Sequence, residues 1–176
     1  MELYETITTR RSVRSYRDDH IPDETIEKLL SAAMLAPSAG NQQPWCFIVV
    51  RDRVKLEKIP LFHPYCKMIT QVGVAIIVCA DPTGKKWPDL WPQDCSAALQ
   101  NLLLAARAEG LGTVWTGVYP FEERMAGCRE LFAIPEHIFP FAVVPLGYPK
   151  DPEGAFKEKD RYKPELVYRE LWGHNT

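Results

Sequence analysis

Arg10, Arg11, Arg14 and Arg17 place four guanidinium groups within eight residues, with the hydroxyl of Ser12 among them. Arginine offers parallel N–H donors that match the oxygens of a phosphate, each charge-assisted bond contributing roughly 1.5–3 kcal/mol. The solvated basic end of a helix would use the same residues, and the cluster alone favours neither reading. Further along runs Pro37-Ser38-Ala39-Gly40-Asn41-Gln42-Gln43-Pro44-Trp45. The amides of Asn41, Gln42 and Gln43 provide both donors and acceptors, as the edge of a planar heterocycle requires. A polar turn joining a helix to a strand has the same composition. Phosphate chemistry at one end and heterocycle chemistry at the other together describe a mononucleotide.

Other constellations are weaker or absent. Gly110-Leu111-Gly112 begins like a dinucleotide fingerprint, but Trp115 stands at the third glycine position. The segment also follows a helix and precedes a strand, the reverse of the required order. In Thr113-Val114-Trp115-Thr116-Gly117 the glycine at a strand end would let backbone approach a ligand, or would simply form a turn. Lys157, Lys159, Arg161 and Lys163 alternate with Glu158 and Asp160 as in a solvated tail. If that tail folds back, Lys159 and Arg161 would close the phosphate site from the far end of the sequence. His20, His63, His137 and His174 are scattered, without metal-ligand spacing or a nucleophile partner. There is no G-x-S-x-G elbow and no P-loop. No side chain performs hydride chemistry unaided, so redox activity would require a bound cofactor.

Periodicity indicates the elements that must position these groups. Leu3, Tyr4 and Ile7 form a short helical stripe leading into the arginines. Ile26, Leu29, Leu30, Ala33 and Met34 mark an amphipathic helix, with Asp23 and Glu24 at its positive end and Ala36-Pro37 as its stop. Trp45–Val50 and Val72–Ala80 read as buried strands, the second continuous in apolar residues rather than alternating. Lys55–Ile59 reads as a short helix. From Pro92 to Glu109 the apolar face is so wide that the helix must lie centrally or between two chains, and Gly110 follows as its stop. Thr113–Val118 and Phe141–Leu146 are two further expected strands, around a weaker helix at Glu122–Leu131.

A length of 176 residues fits one domain, 1–176, and 46% hydrophobic with 25% charged residues is ordinary globular composition. The net charge of −2 gives no global attraction to nucleic acid or an anionic membrane. The longest apolar run, Val72–Ala80, is nine residues, far below the ~20 of a membrane helix. The N-terminus lacks the apolar stretch of a signal peptide. Five cysteines, without a C-x-x-C, indicate neither a disulfide framework nor a zinc or iron–sulfur site. A cytoplasmic protein is the expectation. Residues 151–176 form a tail whose Leu166, Val167, Tyr168, Leu171 and Trp172 require it to dock on the core or on a partner subunit.

Taken in order, Arg10-Arg11-Ser12-Val13-Arg14, Ala36–Trp45, the Gly-Leu-Gly…Trp-Thr-Gly segment and Pro145-Leu146-Gly147-Tyr148-Pro149 resemble the FMN-dependent nitroreductase family. The resemblance implies an α+β fold, an α/β sandwich whose central, mostly antiparallel sheet is flanked by helices. It also implies an intertwined homodimer with FMN at the subunit interface, and the helix over 93–109 as the dimer core. By position, Arg10, Arg11, Ser12 and Arg14 would hold the phosphate and pyrimidine side of FMN. Pro37, Ser38 and Ala39 would approach from the partner subunit, with Asn41 and Gln43 supplying polar contacts. Thr116 and Gly117 would bring backbone to the flavin N5, and Lys159 and Arg161 would complete the phosphate site.

The implied activity is that of an NAD(P)H-dependent FMN oxidoreductase. It would pass reducing equivalents from NADH or NADPH to a nitroaromatic, quinone or enone by a ping-pong mechanism, with no catalytic side chain and no metal. A non-catalytic flavin carrier or sensor on the same fold is the alternative, and a dimerisation module meeting a protein partner a third reading. Two departures stand out. Thr116 replaces an acidic residue of larger members. The chain is also short, so the segment 62–86, with His63, Tyr65, Lys67 and Met68, lacks part of the insertion that covers the substrate in longer ones.

Overall fold

The computed structural model describes residues 1–173; His174 and the two residues after it lie outside the described residues. Five strands form one sheet: β1 (Trp45–Val50), β2 (Val74–Ala80), β3 (Gly112–Thr113), β4 (Thr116–Gly117) and β5 (Phe139–Gly147). The path runs β1-β2-β5-β3, with β4 also on β5, and every pairing of these strands is antiparallel. Among the described residues six α-helices accompany them: α1 (Leu3–Thr9), α2 (Asp23–Met34), α3 (Arg53–Phe62), α4 (Trp91–Ala108), α5 (Glu122–Phe132) and the short α6 (Pro152–Ala155).

All seven residues of β2 are buried, because this strand is covered on both faces. Val74, Ile76, Val78 and Ala80 face a cluster with Ile26 and Leu29 of α2 and Cys95, Ala98, Leu99 and Leu102 of α4. The intervening Ala75, Ile77 and Cys79 face Leu56 and Ile59 of α3 and Cys128 of α5. Strand periodicity thus sorts one sequence run into two cores. The result is the α+β sandwich the sequence implied, with α2 and α4 on one face of the sheet and α3 and α5 on the other.

Helix α4 takes the central position, packed against α2 and the sheet within a single chain. At its C-terminal end, Arg107 donates through Nε to Thr9 Oγ1 at 2.9 Å and lies 4.0 Å above the Phe156 ring. That contact joins α1, α4 and the start of the tail. Helix α3 is longer than expected, since Asp52 Oδ1 caps it by accepting from the backbone N–H groups of Val54 and Lys55 at 2.9 and 3.2 Å.

The expected strand over Thr113–Val118 is a correction. It divides into β3 and β4, which share one register on β5 with Val114 and Trp115 unpaired between them. The break falls opposite Val144 and Pro145, and proline has no N–H to give a ladder.

Candidate functional site

The arginine-bearing segment is mounted on the sheet edge by its main chain. Val13 N donates to Thr113 O at 2.9 Å, Arg17 N to Tyr148 O at 2.8 Å and Lys150 N to Ser15 O at 3.1 Å. Tyr16 N donates to Gln71 Oε1 at 3.2 Å. Between these bonds, the buried side chains of Val13 and Tyr16 rest on two glycines paired across β3 and β5, Gly112 and Gly147. A Cβ on Gly112 would stand 2.8 Å from the Val13 Cβ, and one on Gly147 would stand 2.8 Å from Tyr16 Cδ1. The missing side chains let the segment lie flat, and Ser12, Arg14 and Ser15 are exposed.

One cleft, of about 480 Å³, opens beside this segment. Arg11, Ser12, Arg14 and Ser15 line it, together with Lys150, Lys157 and Lys159 from the far end of the chain. The one carboxylate in its wall, Asp151, already accepts from Gly154 N at 2.9 Å. Arg11 donates through Nη1 to Arg10 O at 2.7 Å, while its buried Nε and Nη2 have no hydrogen-bond partner. Buried guanidinium nitrogens are ordinarily paired, because desolvating an unpaired cation is costly. Burial, then the neighbouring charges of Arg11 and Arg161, lower the pKa of Arg10 from its ordinary value. Crowded cations with free donors fit an anion. The tail does fold back: Lys159 N donates to Thr8 O at 3.3 Å. Arg17, by contrast, pairs with Asp19 at 2.7 Å and covers the Tyr148 ring.

A second cleft, of about 540 Å³, shares Arg14 with the first. Its walls include Trp115, Phe121 and Tyr65, with Thr116 and Gly117 on β4. The Thr116 hydroxyl turns inward and donates to Val143 O at 2.6 Å, so only the backbone of this residue is left to meet a ligand. Arg124 donates through Nη1 to Gly117 O at 2.8 Å and sits over Phe121 and Tyr65, 3.9 and 5.4 Å from their ring centroids. His63 lines the same cleft, is 1% exposed, and has no hydrogen-bond partner at either ring nitrogen. Burial, aided by the charge of Arg124, lowers its pKa below the ordinary histidine value. Aromatic walls beside a band of donors fit a planar heterocycle.

The amide loop is placed elsewhere. Pro37, Ser38, Ala39, Asn41 and Gln43 line neither cleft of their own chain. The loop is nevertheless well formed. Ala39 N donates to Asp94 Oδ1 at 2.9 Å, and Gln43 N to Ser38 Oγ at 2.9 Å. Gly40, Asn41 and Gln43 take left-handed conformations, with φ of 57, 54 and 47°. Asn41 and Gln43 are exposed, bonded to each other at 3.2 Å. The structure therefore brings Arg11, Ser12, Arg14 and Lys159 into one cleft, and Arg14, Thr116 and Gly117 into the next. Arg10 and Arg161 stand beside the first.

Several lining residues escaped the sequence reading. Lys150 and Ser15 had no motif, and Phe121 and Arg124 stand at the start of the expected helix over 122–131, where nothing in the sequence marks them for a site. His63 stood out only as part of the segment over 62–86, with no spacing that gave it a partner, and burial cannot be read from spacing.

Comparison with known proteins places this geometry. The family model described as "Nitroreductase family" matches residues 7–63 and 63–148. The chain belongs to the nitroreductase family. It is 56% identical over 172 residues to a protein of Archaeoglobus fulgidus called "Putative NADH dehydrogenase/NAD(P)H nitroreductase", covering 97% of this chain and 99% of the relative. A crystal structure of a protein with the same name from Bacteroides thetaiotaomicron superposes with a TM-score of 0.90 at 42% identity, covering 97% of this chain and 98% of that one. The structure of an FMN-dependent nitroreductase from Clostridium difficile superposes with a TM-score of 0.80 at 27% identity, covering 96% of each chain.

Proposed function

We propose that this nitroreductase-family chain is an FMN-dependent oxidoreductase that uses NADH or NADPH and acts as a homodimer. The observation that carries the reading is Arg11, whose buried Nε and Nη2 face no partner in a cleft of cations. A phosphate supplies what those nitrogens lack. Arg10, Arg11, Ser12, Arg14, Lys159 and Arg161 would hold it, with Lys150 and Lys157 adding charge. The flavin ring would follow into the neighbouring cleft, past Arg14, towards the backbone of Thr116 and Gly117. Relatives named for FMN and for NAD(P)H support this choice of cofactor and reductant.

The dimer accounts for what one chain leaves apart. Pro37, Ser38, Ala39, Asn41 and Gln43 reach a flavin only if they serve the partner's clefts, as the family resemblance implies. The tail points the same way, since Leu166, Leu171 and Trp172 are 64–87% exposed in a single chain. Burying them on a second subunit would remove a large apolar patch from water. Five free thiols, Cys46 and Cys79 side by side among them, support a reducing, cytoplasmic setting.

FMN, when bound, supplies the two-electron transfer that no side chain here can perform. The protein's part is to hold and orient. Cationic and N–H donors from Arg14, Arg124 and the β4 backbone favour negative charge at the ring's polar edge. Trp115, Phe121 and Tyr65 exclude water beside it. One open cleft serves reductant and acceptor in turn, a ping-pong order, with a small nitroaromatic, quinone or enone as acceptor.

The test is the visible spectrum of the purified protein, before and after anaerobic NADH and NADPH. A bound flavin spectrum that bleaches with either nucleotide supports the reading. Flavin that stays oxidised points to a carrier, and failure to take up FMN on reconstitution overturns the assignment.

A further inference from the structure

His63 follows helix α3 with its main chain fully engaged. Its N–H donates to Ile59 O at 3.0 Å, and its carbonyl accepts from Cys66 N at 3.0 Å. The imidazole differs: at 1% exposure it lines the Arg14–Thr116–Gly117 cleft with both nitrogens unpartnered. Buried polar atoms are hydrogen-bonded in the great majority of folded proteins, and a persistent exception needs a reason. The Thr116 hydroxyl is spent on Val143 O, and Gly117 O already accepts from Arg124. The backbone of Gly117 and Thr116 lies close enough to oppose the fall that burial causes in the imidazole's pKa, yet completes a hydrogen bond to neither ring nitrogen. An apolar ring would fill the same space without that penalty.

The other polar groups of the cleft define what would satisfy it. Arg14 and Arg124 are donors only, and no carboxylate lines the cleft. A neutral imidazole always carries one N–H, and here it adds a donor to that band. The matching occupant is flat, to fit between Trp115, Phe121 and Tyr65, and carries carbonyl or imine acceptors on one edge. We propose that His63 is a ligand-contacting residue, donating a hydrogen bond to the acceptor edge of the heterocycle that enters this cleft. Given the function proposed above, on which this rests, that edge belongs to the flavin ring rather than to its phosphate.

The experiment titrates stripped full-length protein with FMN and with riboflavin, which lacks the phosphate, following flavin fluorescence. His63→Phe keeps a ring of similar size and removes both nitrogens; His63→Gln keeps a donor. His63→Phe is expected to weaken FMN and riboflavin alike, about three- to tenfold, with His63→Gln recovering much of the loss. The melting temperature of the flavin-free His63→Phe protein is expected to hold or rise, because two unpaired buried atoms are gone. Unchanged flavin affinity in His63→Phe overturns the proposal while leaving the FMN reading intact. Weaker binding with a lowered melting temperature in both variants marks a structural histidine and also overturns it. If the unaltered protein binds neither flavin, the FMN reading itself falls and the proposal with it.

Discussion

Arg11 is a side chain whose placement makes sense only with something else present. Its Nη1 is used within the chain, while Nε and Nη2 are buried without partners. Arg11→Ala is therefore expected to raise the FMN dissociation constant by about tenfold or more, the loss of at least one charge-assisted bond. Riboflavin binding should be unaffected, and titrations of both flavins check the contrast. Equal weakening of the two would mean that Arg11 touches the ring rather than the phosphate. At this scale the sequence was a good guide to charge and a poor one to burial. Four arginines near one hydroxyl are visible in a string of letters. The choice of Arg11 over Arg17 came from the family resemblance and not from composition; its physical reason is that Asp19 and Tyr148 occupy Arg17. His63 could not be recognised, since its neighbours at Thr116, Gly117 and Arg124 come from a distant part of the chain.

The element that matters most is the segment from Arg11 to Arg17, laid across the end of β5 and β3. The two glycines beneath it were legible only as fragments of family resemblance, in Gly110-Leu111-Gly112 and Pro145-Leu146-Gly147. The pairing of Gly112 with Gly147 gives the physical reason: both must lack a side chain for Val13 and Tyr16 to descend. Gly147→Ala is expected to cost about 1–3 kcal/mol by overpacking, roughly 2–4 °C of melting temperature for each kcal/mol. It should also weaken FMN binding by lifting the donors off the sheet. Gly73→Ala, where a Cβ meets nothing within 4 Å, is the control and should leave both nearly unchanged. Calorimetry and flavin titration on the two variants decide the matter. Helices and the buried run of β2 were readable because their periodicity is local. Trp45–Val50, expected to be buried, is an edge strand in which only Val50 is buried, because it has β2 on one side alone. The division of Thr113–Val118 was not readable, because it depends on which strand Pro145 faces.

In the whole molecule, the two cationic ends of the sequence meet through the contact of Lys159 with Thr8, and the described residues beyond are nearly all exposed. Deleting residues 163–176 is expected to shift the protein from dimer to monomer in analytical ultracentrifugation, while Lys159 and Arg161 remain. Each large apolar side chain withdrawn from an interface removes about 1.5–3 kcal/mol of association. A truncated protein that sediments as a dimer would show that the tail does not dock across the interface. The edge mounting of the arginine segment has a separate consequence, for how the protein can change. Its register is held by backbone hydrogen bonds and by inward Val13 and Tyr16, whereas Ser12, Arg14 and Ser15 project from it. Foldability and ligand preference are thus written in different letters of the same segment, and a lineage, or a designer, can rewrite one without disturbing the other.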